Sequence, residues 1–147
     1  MKFSCEKALL QSMITIASRA VAPKSTIPAL EGVLLEAEQE LNLTGYNLKT
    51  GIRGTISADI AEPGSIVLSA RLFGDIIRRL PDDMVTLSTD DLMVNITCGM
   101  SEFNILGMDP SQFPELPAVE YQNSMILPQR ILHSMITETI FAVSTND

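Results

Sequence analysis

Ile66-Val67-Leu68-Ser69-Ala70-Arg71-Leu72-Phe73-Gly74-Asp75-Ile76-Ile77-Arg78-Arg79-Leu80-Pro81 is the stretch from which the fold can be read. Its first three residues follow the Pro63-Gly64 turn pair and form a β-rich apolar run, which predicts a short strand. From there the periodicity changes. At 100° per residue Leu72, Phe73, Ile76, Ile77 and Leu80 share one arc, and Arg71, Asp75, Arg78 and Arg79 fill the opposite one, so a helix follows and Pro81 ends it. Burying those five side chains against a sheet stabilises by on the order of 10 kcal/mol before entropy is subtracted. The outer face then carries three arginines and one aspartate, in a chain whose net charge is −8. A concentrated positive face on an acidic protein calls for a functional reason.

The flanking sequence repeats this grammar. Lys2 to Glu6 alternates as a strand, and Lys7 to Val21 places Leu9, Leu10, Met13, Ile14, Ile16, Ala17, Ala20 and Val21 on one half of a helical wheel. After a loop with Pro23, Lys24 and Pro28, three strands are expected: Val33 to Ala37, Leu41 to Gly45, and Gly51 to Ile60. The strand and helix of the opening stretch come next, then three more strands at Met84 to Ser88, Leu92 to Cys98 and Glu102 to Leu106. A third start is expected at Met125 to Leu127, with a helix from Gln129 to about Val143. The starts at Phe3, Ile66 and Met125 lie 63 and 59 residues apart, and Leu10-Gln11-Ser12-Met13-Ile14-Thr15 resembles Leu132-His133-Ser134-Met135-Ile136-Thr137. This is an internal repeat. The expectation is an α+β protein of two strand-helix-three-strand units, helices on one side of antiparallel sheets. A first domain is expected over residues 1–120, and 121–147 read as the incomplete start of a second, so the chain reads as a fragment.

Composition narrows the function. With 147 residues and 46% hydrophobic content, the chain has enough apolar material for one well-buried domain. Lys2, Glu6 and Lys7 interrupt the amino-terminal apolar residues, so no signal peptide is expected, nor a membrane span, and the reading is cytoplasmic. Cys5 and Cys98 lie in apolar strands without a CxxC, which predicts buried free thiols. Asp82-Asp83 and Asp90-Asp91 read as turn formers rather than metal ligands, and the single histidine, His133, has no nucleophile motif around it. No catalytic residue, metal or cofactor is expected. Of the ten basic residues, Lys7, Arg19, Arg71, Arg78, Arg79 and Arg130 fall in helices and Lys24 just beyond one, whereas Pro81 to Glu120 holds eight acidic residues and no Lys or Arg. Basic helix faces opposite acidic turns predict one phosphate-facing side. A generic α+β interaction module unrelated to DNA is the alternative reading.

Several segments carry a resemblance. Ile66 to Pro81, the amino-terminal M-K-F-S-C-E, T-I-P-A-L-E-G-V-L-L-E from Thr26 to Glu36, L-T-G-Y-N-L from Leu43 to Leu48, F-P-E-L-P from Phe113 to Pro117, and Leu127-Pro128-Gln129 resemble, in order, the bacterial sliding clamp, the beta subunit of DNA polymerase III. Lys49 departs from the acidic residue usual there, and Lys24 stands where arginine is common. The resemblance implies a DNA-clamp domain in a non-catalytic processivity factor. Two chains would close as a ring homodimer around double-stranded DNA, helices inward, and tether DNA polymerase III, with a clamp loader as further partner. By position Lys24, Arg71 and Arg78 match DNA-facing residues of that family, and Arg79 and Arg19 join them from the helical wheel. Glu102, Phe103 and Ile105, on an expected edge strand, are implied to form the dimer interface.

Overall fold

The deciding stretch folds as a strand, β6 (Gly64–Ser69), and a helix, α2 (Ala70–Arg79), in a computed structural model that describes residues 1–117 and 125–144. Ser69 caps the helix by accepting the Leu72 N–H at 3.4 Å, and Leu80 is already extended, as the residue before Pro81 must be. Ala70, Phe73, Ile76, Ile77 and Leu80 are buried. Leu72, expected among them, is 47% exposed. It lies at the rim of the apolar arc, where the sheet no longer reaches. Leu9 and Ile16, at the rim of the first helix, are exposed for the same reason.

The earlier part of the chain supplies β1 (Lys2–Glu6), α1 (Lys7–Ala17), β2 (Gly32–Ala37), β3 (Leu41–Tyr46), β4 (Gly51–Ile56) and β5 (Asp59–Glu62). After α2 come β7 (Met84–Asp90), β8 (Met93–Cys98) and β9 (Ser101–Leu106). All neighbouring strands pair antiparallel, in a five-stranded sheet ordered β5-β1-β7-β8-β9 and a four-stranded sheet ordered β4-β3-β2-β6. Each repeat therefore lends its first strand to the other's sheet: β1 pairs β7, and β6 pairs β2. The single strand expected over Gly51 to Ile60 is in fact two. Its first half pairs β3 and its second half pairs β1 in the other sheet. Alternation runs unbroken through the join, so periodicity carries no mark of the change of partner.

The main core lies between the helices and the two sheets, where Leu10, Met13 and Ile14 of α1 meet Phe73 and Ile77 of α2 and strand residues such as Phe3, Leu43, Leu68, Leu87 and Ile96. A second, smaller core gathers Ala29, Leu30, Tyr46, Val67 and Phe113, with Ile27, Leu34 and Leu116 against it. Four of the segments that carry the resemblance meet here, from Thr26–Glu36, Leu43–Leu48, Ile66–Pro81 and Phe113–Pro117. Gly45, in the second of these, is forced by packing: a Cβ there would run into the Ala17 carbonyl at the end of α1.

Residues Met1–Leu116 form one unit and Pro117–Asp147 another; the expected boundary at 120–121 falls outside the described residues. In the second unit α3 (Gln129–Thr139) repeats α1 at a spacing of 122 residues. Both helices have 11 residues, and both run into a 3-10 turn, Ser18–Ala20 and Ile140–Ala142. Thr15 Oγ1 donates to the Gln11 carbonyl at 2.8 Å, and Thr137 Oγ1 to the His133 carbonyl at 2.8 Å. Met125–Leu127, expected as a strand, forms none, because a strand needs a partner and none stands among the described residues of this unit.

Candidate nucleic-acid interface

The outer faces of α1 and α2 form the basic side. Arg71, Arg78 and Arg79 on α2, Arg19 in the turn after α1 and Lys24 in the following loop are all exposed. Their charges are not equally available. Arg78 Nη2 lies 2.9 Å from Asp75 Oδ1, one helical turn earlier, whereas among the described residues Arg19, Lys24, Arg71 and Arg79 form no ion pair. Lys7, also on the helical face in sequence, is tied to Asp82 at 2.7 Å.

Two depressions organise these groups. A groove of about 660 Å³ between α1 and α2 is lined by Arg71, Asp75 and Arg78 on one wall and by Gln11, Thr15 and Ser18 on the other. A neighbouring depression of about 520 Å³ joins Arg19 to Lys7, Gln11 and Asp82. Arg71 and Arg78 are thus brought together and Arg19 shares the α1 wall, while Arg79 and Lys24 line neither depression. Sequence reasoning passed over Gln11, Ser18 and Gly74. The spacing of Asp75 to Arg78, i to i+3 on a helix, was the available signal for their pairing.

The second candidate region is β9, terminal in the five-stranded sheet and paired only to β8. Phe103 stands opposite Ile96 and Ile105 opposite Val94, so both project toward the core side at the sheet's rim. They fare differently: Ile105 is 9% exposed and belongs to the core, whereas Phe103 is 39% exposed. On the other face Asn95 Nδ2 donates to Glu102 Oε1 at 2.6 Å and to Asn104 Oδ1 at 2.9 Å.

Two of the turn aspartates have local structural roles. Asp83 accepts the Met84 N–H at 2.7 Å, and Asp91 takes the left-handed conformation (φ 52°) in the β7–β8 turn. No three His, Cys, Asp or Glu among the described residues are grouped to hold a metal. No helix among them is long and apolar enough to cross a membrane. Cys5 and Cys98 are buried free thiols; burial pushes Cys5 from the ordinary 9.0 up to about 12, and burial, with Asp83 nearby, raises Cys98 as well.

Known proteins of this shape agree with the geometry. Residues 1–117 match the family described as DNA polymerase III beta subunit, N-terminal domain. The beta sliding clamp of Synechocystis is 37% identical over all of this chain, which covers 40% of that relative. The DNA polymerase beta subunit of Streptococcus pyogenes superposes with a TM-score of 0.90 at 34% identity, over 99% of this chain and 40% of that one. The DNA polymerase sliding clamp of Bacillus subtilis gives 0.91 at 32% identity, over 100% of this chain and 41% of that one. The chain thus spans about two fifths of the relatives it matches, and within that span sequence and fold agree: it belongs to the DNA polymerase III beta subunit, or sliding clamp, family.

Proposed function

We propose that this chain works as the amino-terminal part of a processivity clamp, residues 1–120 as its first domain and 121–147 as the start of its second. Two full-length chains would close into a ring around duplex DNA in the cytoplasm and tether DNA polymerase III after a clamp loader has placed them. The observation that carries this reading is the separation of charge in a member of the clamp family. Arg19, Arg71, Arg78 and Arg79 share the helical layer, while the turns and the segment after Pro81 are acidic. Such a layer gives weak, sequence-independent phosphate contacts, which hold the duplex central without arresting sliding. The clamp carries out no chemistry. Glu102, Phe103 and Ile105 would face the partner chain, with Phe103 supplying the accessible apolar surface and Ile105 supporting it from beneath.

The test uses a full-length clamp carrying this chain, loaded on closed circular duplex. Retention that survives moderate salt and is lost on linearising the circle is the expected result. Equal loss from circular and linear DNA would sink the ring. Micromolar binding of linear duplex by the 147-residue chain alone, at physiological salt, would also contradict the reading, because at −8 net charge it repels phosphate.

A further inference from the structure

Lys24 is carried by residues 22–31, a loop closed on itself. The Ala22 N–H donates to the Leu30 carbonyl at 3.0 Å and ties the two ends together. Within this closure the Ser25 N–H donates to Glu31 Oε1 at 3.0 Å, Ser25 Oγ accepts the Ile27 N–H at 3.1 Å, and the Leu30 N–H donates to the Ile27 carbonyl at 3.1 Å. Such a loop is compact by itself, but its place on the domain is set by what its base rests on. Ala29 and Leu30 are buried, Ala22 and Ile27 half-buried beside them, and all four pack in the small core. Val67 of that core lies between Ile66 and Leu68, which face the main core, so the small core occupies the opposite face of the four-stranded sheet, away from the helices.

Phe113 supplies the wall of the small core that neither the loop nor the sheet provides. It stands on residues 107–116, which leave β9 and lie down against β6. Met108 and Val67 exchange two backbone hydrogen bonds, of 2.8 and 3.1 Å, and a Cβ on Gly107 would meet Ile66 Cγ1 at 2.7 Å, closer than a side chain allows. Asp109 Oδ1 then accepts the Ser111 N–H at 2.8 Å, and the Phe113 N–H donates to the Pro110 carbonyl at 3.0 Å. That turn delivers Phe113 to the core, where it is 7% exposed.

Resting on the clamp reading, we infer that the small core is the mount of the Lys24 loop, and that Phe113 is the positioning residue that holds Lys24 where it meets the DNA backbone. Phe113 belongs to no strand and to neither helix of its unit, so the sheets and the main core keep their partners without it. The loop does not, because its base then faces a cavity. A lysine on a fixed loop loses only side-chain freedom when it meets a phosphate, whereas on a loose loop the backbone must be ordered as well.

Hydrogen exchange of the full-length clamp and the salt slope of its DNA association test this together. Phe113→Ala is expected to speed amide exchange at Ala22, Ser25, Ile27 and Leu30 about tenfold or more, while the amides of β1, β7 and α2 keep wild-type rates. The salt slope should fall by about 0.9, as for Lys24→Ala, and the double variant should fall no further. Phe113→Leu, which refills most of the space, should restore both readings. Ala22→Pro, which removes the closing N–H and leaves Phe113 in place, should loosen the loop and lower the slope likewise. A wild-type slope for Phe113→Ala, with only a lower melting temperature, would leave Phe113 a purely structural residue and overturn the inference. Faster exchange spread evenly over both cores overturns it too, since the loop would then have no mount of its own, and additive losses in the double variant would separate Phe113 from Lys24. Failure of the wild-type protein to stay on closed circles removes the clamp reading before any variant is compared, whereas normal retention with an unaltered Phe113→Ala slope removes the mount alone.

Discussion

Lys7 Nζ lies 2.7 Å from Asp82 Oδ1, joining the first residue of α1 to the loop that leaves α2, 75 positions away. The Lys7 N–H also donates to the Asp83 carbonyl at 3.2 Å. Lys7 is thus a fastener between the two repeats rather than a free cation of the basic face. The Lys7 side chain is 12% exposed and that of Asp82 89%, so water screens the pair from one side. Lys7→Met is expected to cost no more than about 1 kcal/mol in denaturant unfolding, with an unchanged m-value.

The basic residues should separate by their pairing. Arg71→Glu in the full-length clamp is expected to lower the salt slope of DNA association by about 0.9, the loss of one phosphate contact. Arg78→Glu should lower it less, because Asp75 already holds that guanidinium part of the time. Equal slopes for wild type and Arg71→Glu would take Arg71 out of the channel.

At the edge strand, Phe103→Glu and Ile105→Lys should part company. Ile105 is packed in the main core, so a lysine there is expected to unfold the domain, at a cost of about 3 kcal/mol or more. Phe103 is exposed enough for its replacement to leave the thermal midpoint of the domain nearly unchanged while sedimentation of the full-length protein shifts from dimer to monomer. A stable Phe103→Glu dimer would exclude Phe103 from the interface.

Two glycines give opposite stability outcomes. Gly45→Ala pushes a methyl group into the Ala17 carbonyl and is expected to destabilise by about 1–3 kcal/mol. Gly74→Ala meets only an ordinary contact in a helix interior and should stabilise by up to about 1 kcal/mol. Chemical denaturation of both variants checks the pair.

The buried thiols set an alkaline limit. Because Cys5 is raised to about 12 in the folded chain, the unfolded chain loses that proton first as pH climbs past the ordinary value near 9. The folded state then binds more protons, and stability falls with rising pH by about 1.4 kcal/mol per pH unit between about 9 and 12. Cys98 adds in the same direction. Cys5→Ala/Cys98→Ala should flatten this decline in unfolding curves taken at pH 8 and pH 10.5. Both thiols should resist a thiol reagent at pH 8 until the chain unfolds.

Local order is what the sequence determined by itself. The switch from period 2 to period 3.6 between Leu68 and Leu72 located β6 and α2, the proline at 81 ended the helix, and the spacing of 122 residues foretold the match of α1 and α3, because these depend on neighbours in the chain. Partnership across space was decided by tertiary structure. Only the packed molecule divides Gly51 to Ile60 between two sheets, exchanges β1 and β6 between repeats, and separates buried Ile105 from exposed Phe103 at one edge. The same holds for charge: a helical wheel places Arg71 and Arg78 on one face but does not report the groove that they line together with Gln11 and Thr15 of α1. Periodicity fixes which way a side chain points relative to its own element, whereas what lies opposite it is fixed by burial of the whole apolar surface at once.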